Sequence, residues 1–140
     1  MIKGCIVAND ADYGRAQMLI HQIQRAGTAG ILAVNHPGQF FPEIWAKKMN
    51  NNIKERFQFD KVLCDVPCSG DGATRKIPTK WAKWHTSDGM VLHPLQLAIL
   101  IKAINLLKKG GLLVYSTCSL NPIENESVIC ALMQKVDCGL

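Results

Sequence analysis

The sequence predicts an α/β fold, a parallel sheet with helices on both of its faces. Three observations carry that expectation. Four short apolar runs, at 4–8, 31–34, 61–66 and 112–115, read as buried strands. Between and after them, apolar residues recur at helical spacing, at 13–25, at 95–108 and from Pro122 onward. The runs end in polar, proline or glycine residues, and in an open parallel sheet such carboxyl ends form the rim where ligands bind.

The first run, Gly4-Cys5-Ile6-Val7-Ala8, leads to Asn9-Asp10 and so places an acid at a strand's carboxyl end. There a carboxylate can accept hydrogen bonds from ribose hydroxyls, and a surface loop acid is the competing reading. Asp12 can cap the helix at 13–25, on which Ala16, Leu19, Ile20 and Ile23 share a face, and Gly27 stops it. The second run, Ile31-Leu32-Ala33-Val34, ends at Asn35-His36-Pro37-Gly38. From 39 to 58 the pattern is irregular, and a short helix at 43–49 followed by an exposed loop is expected. Lys47, Lys48, Lys54 and Arg56, beside Trp45 and Phe57, form either a nucleic-acid contact or a solvated basic face.

The third run ends in an acid, a proline, a cysteine and a glycine-rich turn: Asp65-Val66-Pro67-Cys68-Ser69-Gly70-Asp71-Gly72. The long connection that follows, 73–92, carries Arg75, Lys76, Lys80, Trp81, Lys83, Trp84 and His85. Its basic groups, Arg75, Lys76 and Lys80 foremost, are candidates for nucleic-acid phosphates, and its tryptophans either stack on a base or pack on the core. The helix at 95–108 aligns Leu97, Leu100, Ile101, Ile104 and Leu107; Lys108-Lys109 suits its negative end, and Gly110-Gly111 ends it. The fourth run leads into Ser116-Thr117-Cys118-Ser119. Asn121 with Glu124 then resembles a capping box, Pro122 takes the first helical position, and Val128, Ile129, Leu132 and Met133 form the buried face.

The totals set the frame. The 140 residues, 48% of them hydrophobic, are enough for one domain with a core, and no linker, repeat or low-complexity segment divides them. No apolar run approaches the roughly 18 residues of a membrane span, and no signal-peptide pattern opens the chain, so no membrane partner and an intracellular location are expected. Sixteen Lys and Arg against eleven Asp and Glu give a net charge of +5, which suits a polyanionic partner without requiring one. The six cysteines read as reduced thiols; with no Cys-x-x-Cys and no histidine at ligand spacing, no metal is expected.

A lone cysteine on a strand is normally a small buried hydrophobe, which is the reading for Cys5, Cys64, Cys130 and Cys138. Cys68 and Cys118 differ, because both follow strand ends on the expected rim with Asp10 and Asp65. Cys118 precedes a helix N-terminus, whose dipole favours a negatively charged sulfur, and a thiolate is a good nucleophile. Cys68 follows a stiffening proline, and Gly70 and Gly72 let backbone approach a ligand closely. Spacing alone leaves a structural role open for both.

Asp65 to Gly72, together with Tyr115-Ser116-Thr117-Cys118-Ser119-Leu120-Asn121-Pro122-Ile123-Glu124-Asn125-Glu126, resembles the two cysteine motifs of the Fmu/Sun family. That family comprises S-adenosylmethionine-dependent RNA cytosine-5 methyltransferases. The likeness runs from about Gly4 to Lys135 and is closest to the eukaryotic tRNA branch. It implies a Rossmann-like methyltransferase fold, S-adenosylmethionine as cofactor, RNA and most closely tRNA as partner, and a location in nucleus or cytoplasm. By the same resemblance, Cys118 attacks carbon 6 of cytosine, Cys68 assists removal of the carbon-5 proton, and Asp65 contacts the base and the methionine end of the cofactor. Asp10 and Pro67 also belong to the implied cofactor site, Asp10 as the ribose acid.

The family's Asn-His-Asp segment reads Asn35-His36-Pro37 here, which puts the adenine contact in question. Nothing before Gly4 resembles the first strand and its glycine-rich cofactor loop, and the last strand pair of the fold is also not found. The chain is therefore expected to be a partial methyltransferase catalytic domain spanning 1–140. A catalytically silent RNA-binding or scaffolding fragment is the alternative. Without a central first strand, the four strands are expected either to pair directly or to self-associate through unpaired edges.

Overall fold

The structure, a computed structural model, describes residues 4–47 and 54–135. The chain divides into two compact units, Met1–Phe41 and Pro42–Leu140.

In the first unit, β1 (Ile6–Asn9) and β2 (Ile31–Val34) pair in parallel, with Ile6 opposite Ile31 and Asn9 opposite Val34. Helix α1 (Tyr13–Ala26) makes the crossover. It starts where Asp12 Oδ1 accepts a bond from Arg15 N at 2.8 Å and stops at Gly27, whose φ of 59° lies in the left-handed region that suits glycine. Both ends fall where the sequence puts them. At the carboxyl ends of the strands, Asn9 Nδ2 donates to His36 O and His36 N donates to Asn9 Oδ1, each at 2.9 Å.

The second unit opens with an antiparallel pair, β3 (Ile44–Lys47) and β4 (Lys54–Phe57). There follow β5 (Phe59–Asp65), α2 (Thr79–Lys83), α3 (Asp88–Leu106), β6 (Leu107–Ser116) and α4 (Glu126–Lys135). Strands β5 and β6 run parallel, with Lys61 opposite Leu112 and Asp65 opposite Ser116. One face of this sheet, through Val62, Cys64, Leu113 and Tyr115, packs with Leu97, Leu100 and Ala103 of α3 and Val128 and Leu132 of α4. Its other face leaves Leu63 69% exposed, and Leu112 and Val114 are exposed beside it.

The structure corrects several expectations. The helix at 43–49 is instead strand β3 over 44–47, and residues 48–49, like the loop after them, lie outside the described residues. Ile44 and Trp45, β-formers, find cross-strand partners in Phe57 and Arg56, and an ion pair from Arg56 to Glu43 at 2.9 Å fixes the register. Helix α3 begins at Asp88, not after Pro94. The proline is absorbed inside the helix because Asp88 Oδ2 accepts from His85 N at 3.0 Å and Gly89 is packed against Asn121 and Glu124, which fixes the first turns. The helix also ends before Lys108. That lysine sits on β6 and pairs with Asp60 of β5 at 2.7 Å, so it serves the sheet and not a helix terminus. Cys5 and Cys130 are exposed, unlike Cys64, and Cys138 lies outside the described residues.

Helix α3 is long and apolar enough, by length and composition, to cross a membrane, contrary to the sequence reading. In the fold its Leu97, Leu100 and Ala103 are core residues, and it buries the polar Gln96. Finally, the four predicted strands do not join in one sheet; among the described residues they pair two by two, β1 with β2 and β5 with β6, in two separate parallel sheets.

Candidate active site

Parallel pairing of β5 and β6 places their carboxyl ends side by side, and each strand runs directly into a cysteine-bearing loop. Ser116 Oγ donates to Asp65 Oδ1 at 3.0 Å and Val66 N to Ser116 O at 3.1 Å, which carries the pairing to the last residue of each strand. Beyond that point Cys68 and Cys118, fifty positions apart, meet with their sulfurs 3.2 Å from each other. Cys118 N also donates to Cys68 Sγ at 3.3 Å. The two loops are laced together: Gly72 N donates to Cys118 O at 3.1 Å, and Asp71 Oδ1 accepts from Leu120 N at 2.9 Å. A β-carbon on Gly72 would stand 2.7 Å from Cys118 O, so this close approach requires glycine.

Beneath the sulfurs lies Glu124, with no exposed surface. Its Oε1 accepts from Ser69 N at 2.8 Å and from Gln96 Nε2 at 3.0 Å. Its Oε2 accepts from Ser69 Oγ at 2.5 Å and Ser119 Oγ at 2.7 Å. Burial pushes this carboxyl up, but the hydrogen bonds from Ser69, Ser119 and Gln96 outweigh it and hold the group below the ordinary glutamate value. The sequence reading assigned Glu124 to a capping box. The structure gives the turn to Asn121, whose Oδ1 accepts from Ile123 N at 3.0 Å; α4 starts only at Glu126, and Glu124 turns inward. Its four donors come from three separate segments, and no spacing rule would have signalled that.

The two sulfurs differ. Burial pushes the Cys68 thiol up to about 11, with its hydrogen bond to Cys118 adding to the shift. Cys68 therefore holds its proton at neutral pH, and Cys118 is the more exposed sulfur of the pair. The expected proximity of Cys118 to a helix N-terminus is corrected, since the seven residues 119–125 of loop and turn separate it from α4.

Asp65 and Pro67 are both exposed on the same rim, and Pro67 O is held by Gln96 Nε2 at 2.9 Å. Asp10 belongs to the first unit, where its Oδ1 accepts from Asp12 N at 2.8 Å and pairs with Arg15 at 3.0 Å. Arg75 and Lys76 are exposed. Lys80 is not simply a surface cation: its Nζ donates to Ser69 O at 3.0 Å, and a β-carbon on Gly70 would collide with that ammonium while touching Cys118 Sγ at 3.5 Å. Trp81 is exposed and Trp84 half-buried.

Residues 1–138 match the family described as 16S rRNA methyltransferase RsmB/F. The chain is 52% identical over 133 residues to the multisite-specific tRNA:(cytosine-C(5))-methyltransferase of Saccharomyces cerevisiae, covering 95% of this chain and 19% of that protein. It is 40% identical to the tRNA (cytosine(49)-C(5))-methyltransferase of Pyrococcus abyssi, covering 99% of this chain and 41% of the relative. NSun6 from Pyrococcus horikoshii, solved with SFG, superposes with a TM-score of 0.73 at 28% identity, covering 95% of this chain and 31% of that one. A methyltransferase homolog from the same archaeon gives 0.71 at 31% identity, covering 96% and 38%. The chain thus spans about a fifth of the length of its yeast relative, and that fifth holds both cysteine loops. With the family model matching nearly every residue and the fold agreeing, the chain belongs to the RsmB/F methyltransferase family.

Proposed function

We propose that this chain carries the reaction centre of an S-adenosylmethionine-dependent RNA cytosine-5 methyltransferase acting on tRNA inside the cell. One observation carries the reading: two cysteines from adjacent strand ends in sulfur contact at 3.2 Å, one exposed and the other with raised proton affinity. Aromatic carbon 5 of cytosine is a poor nucleophile until a thiolate adds at carbon 6. Cys118, as thiolate, makes that bond and leaves carbon 5 electron-rich. Bound S-adenosylmethionine supplies the electrophilic methyl group that carbon 5 takes up. The carbon-5 proton then passes to solvent, a step that Cys68 assists; the electrons of that carbon–hydrogen bond re-form the ring double bond, and the Cys118–carbon bond breaks to return Cys118 as thiolate.

In the second unit, Asp65, exposed at the carboxyl end of β5, has the chemistry to accept from an α-ammonium, and Pro67 would line its site. In the first unit, half-buried Asp10 at the end of β1 has the chemistry to accept from ribose hydroxyls, so the residues of each unit fit the cofactor. Arg75 and Lys76 would meet RNA phosphates, and Lys80, held beside Cys118, would reach the target nucleotide itself.

Incubation of the protein with S-adenosylmethionine and tRNA containing 5-fluorocytosine tests this. Fluorine cannot leave as a proton does, so the covalent adduct persists on denaturing gels. The expected outcome is an adduct in the wild type and none in Cys118→Ala; an undiminished adduct in that variant would sink the assignment. Absence of any adduct, with tRNA still bound, would instead favour the silent RNA-binding reading.

A further inference from the structure

We propose that Glu124 is a positioning residue for the cysteine pair, its buried carboxylate holding Cys68 and Cys118 in contact by binding the serine that follows each of them. Its catalytic meaning rests on the reading above.

Cys68-Ser69 and Cys118-Ser119 are two Cys-Ser dipeptides on loops fifty positions apart, and both serine hydroxyls donate to the same oxygen, Glu124 Oε2, at 2.5 and 2.7 Å. The hydroxyls themselves stand 3.4 Å from each other. A cysteine one peptide bond away must follow its serine, so a single carboxylate oxygen sets the spacing of the sulfurs. The carboxylate is itself anchored. Gln96 on α3 bonds Oε1 and Pro67 O together, and Glu124 O accepts from Tyr115 OH on β6 at 2.6 Å. A buried charge is a costly way to fill space, and an apolar side chain would do that better. Here the donors belong to both cysteine loops and to the helix that braces them, which is what a spacer between reactive groups needs. The fixed negative charge also opposes ionisation of Cys68.

The test needs neither RNA nor cofactor. Diamide converts two thiols to a disulfide: two S–H bonds break, one S–S bond forms, and the reagent's N=N bond is reduced to a hydrazine. The rate at which the Cys68–Cys118 linked peptide appears, read by non-reducing mass spectrometry, reports how often the sulfurs meet. Wild type is expected to link fastest, with Glu124→Ala slowed roughly tenfold, about the weight of one hydrogen bond. Glu124→Gln, which keeps the shape and can bond rotated hydroxyls, is expected to recover most of the rate while its Cys68 is alkylated at lower pH than in wild type. A cooperatively melting Glu124→Ala that links at the wild-type rate overturns the proposal. If that variant does not fold, Ser69→Ala and Ser119→Ala each cut one tie, and wild-type linking in both overturns it equally. Slowed linking without any 5-fluorocytosine adduct would support the positioning role and sink the catalytic reading. An intact Cys118-dependent adduct with unchanged linking would do the reverse.

Discussion

Cys68 carries the most direct residue-scale consequence. With its thiol pushed up to about 11, it should react slowly with iodoacetamide at neutral pH and faster as pH climbs from 9 towards 11, followed peptide by peptide. Cys64 is likewise pushed up to about 11 by burial in the core. A thiol that holds its proton more tightly when folded stabilises the fold below its unfolded value of 9.0, and that contribution is lost as pH rises through about 11. Melting temperature should therefore fall from pH 9 to 11, less steeply in Cys64→Ala, and a flat profile would contradict the assignment. The acid side has the opposite sign. Asp71 and Glu124 are both held low by hydrogen bonds that outweigh burial, so their stabilisation is present at neutral pH and is lost as pH falls below the ordinary carboxylate range. At this scale the cysteines and Asp65 were legible because each ends a recognisable apolar run. Glu124 was not, because its partners at Ser69, Gln96 and Ser119 become neighbours only after the chain folds.

At the scale of elements, α3 is the brace of the second unit. Leu100 has no exposed surface and touches both the sheet and α4, so Leu100→Ala should cost about 2–5 kcal/mol, read as a drop in urea midpoint. Gly72→Ala tests the junction of the loops. The new methyl must displace Cys118 O, and repacking of that kind typically costs about 1–3 kcal/mol while separating the sulfurs. Unchanged diamide linking in Gly72→Ala would show that the loop yields elsewhere. The misread elements have local causes. Pro94 looked like a boundary, but tertiary anchoring of Gly89 carries the helix through it. The 43–49 stretch has no period strong enough to outweigh a partner strand, and that partner starts ten residues after β3 does. The Asn121 and Glu124 spacing matches a capping box, yet the core took the glutamate.

For the molecule as a whole, two small parallel sheets leave strand edges without a partner among the described residues, and β5–β6 turns Leu63, Leu112 and Val114 outward. Open edges beside exposed aliphatic residues template further pairing. Apparent mass in light scattering should therefore rise with protein concentration, whereas a monodisperse monomer over a hundredfold range would refute the edge argument. The α/β class and the parallel order were readable because apolar runs and turn residues alternate along the chain. The division at Phe41 was not, because no change of composition marks it.

The fifty positions between Cys68 and Cys118 also bear on kinetics. Nothing local brings them together: closing a loop of that length costs roughly 3.5 kcal/mol of chain entropy, recovered only when β5 and β6 zip and α3 docks behind them. The β3–β4 pair and α1 have short-range contacts and can form early. Sulfur proximity should thus appear in the slowest refolding phase, so that pulsed diamide during refolding captures the linked peptide only as the last tertiary signal develops. The sulfur pair would then double as a clock for completion of the fold.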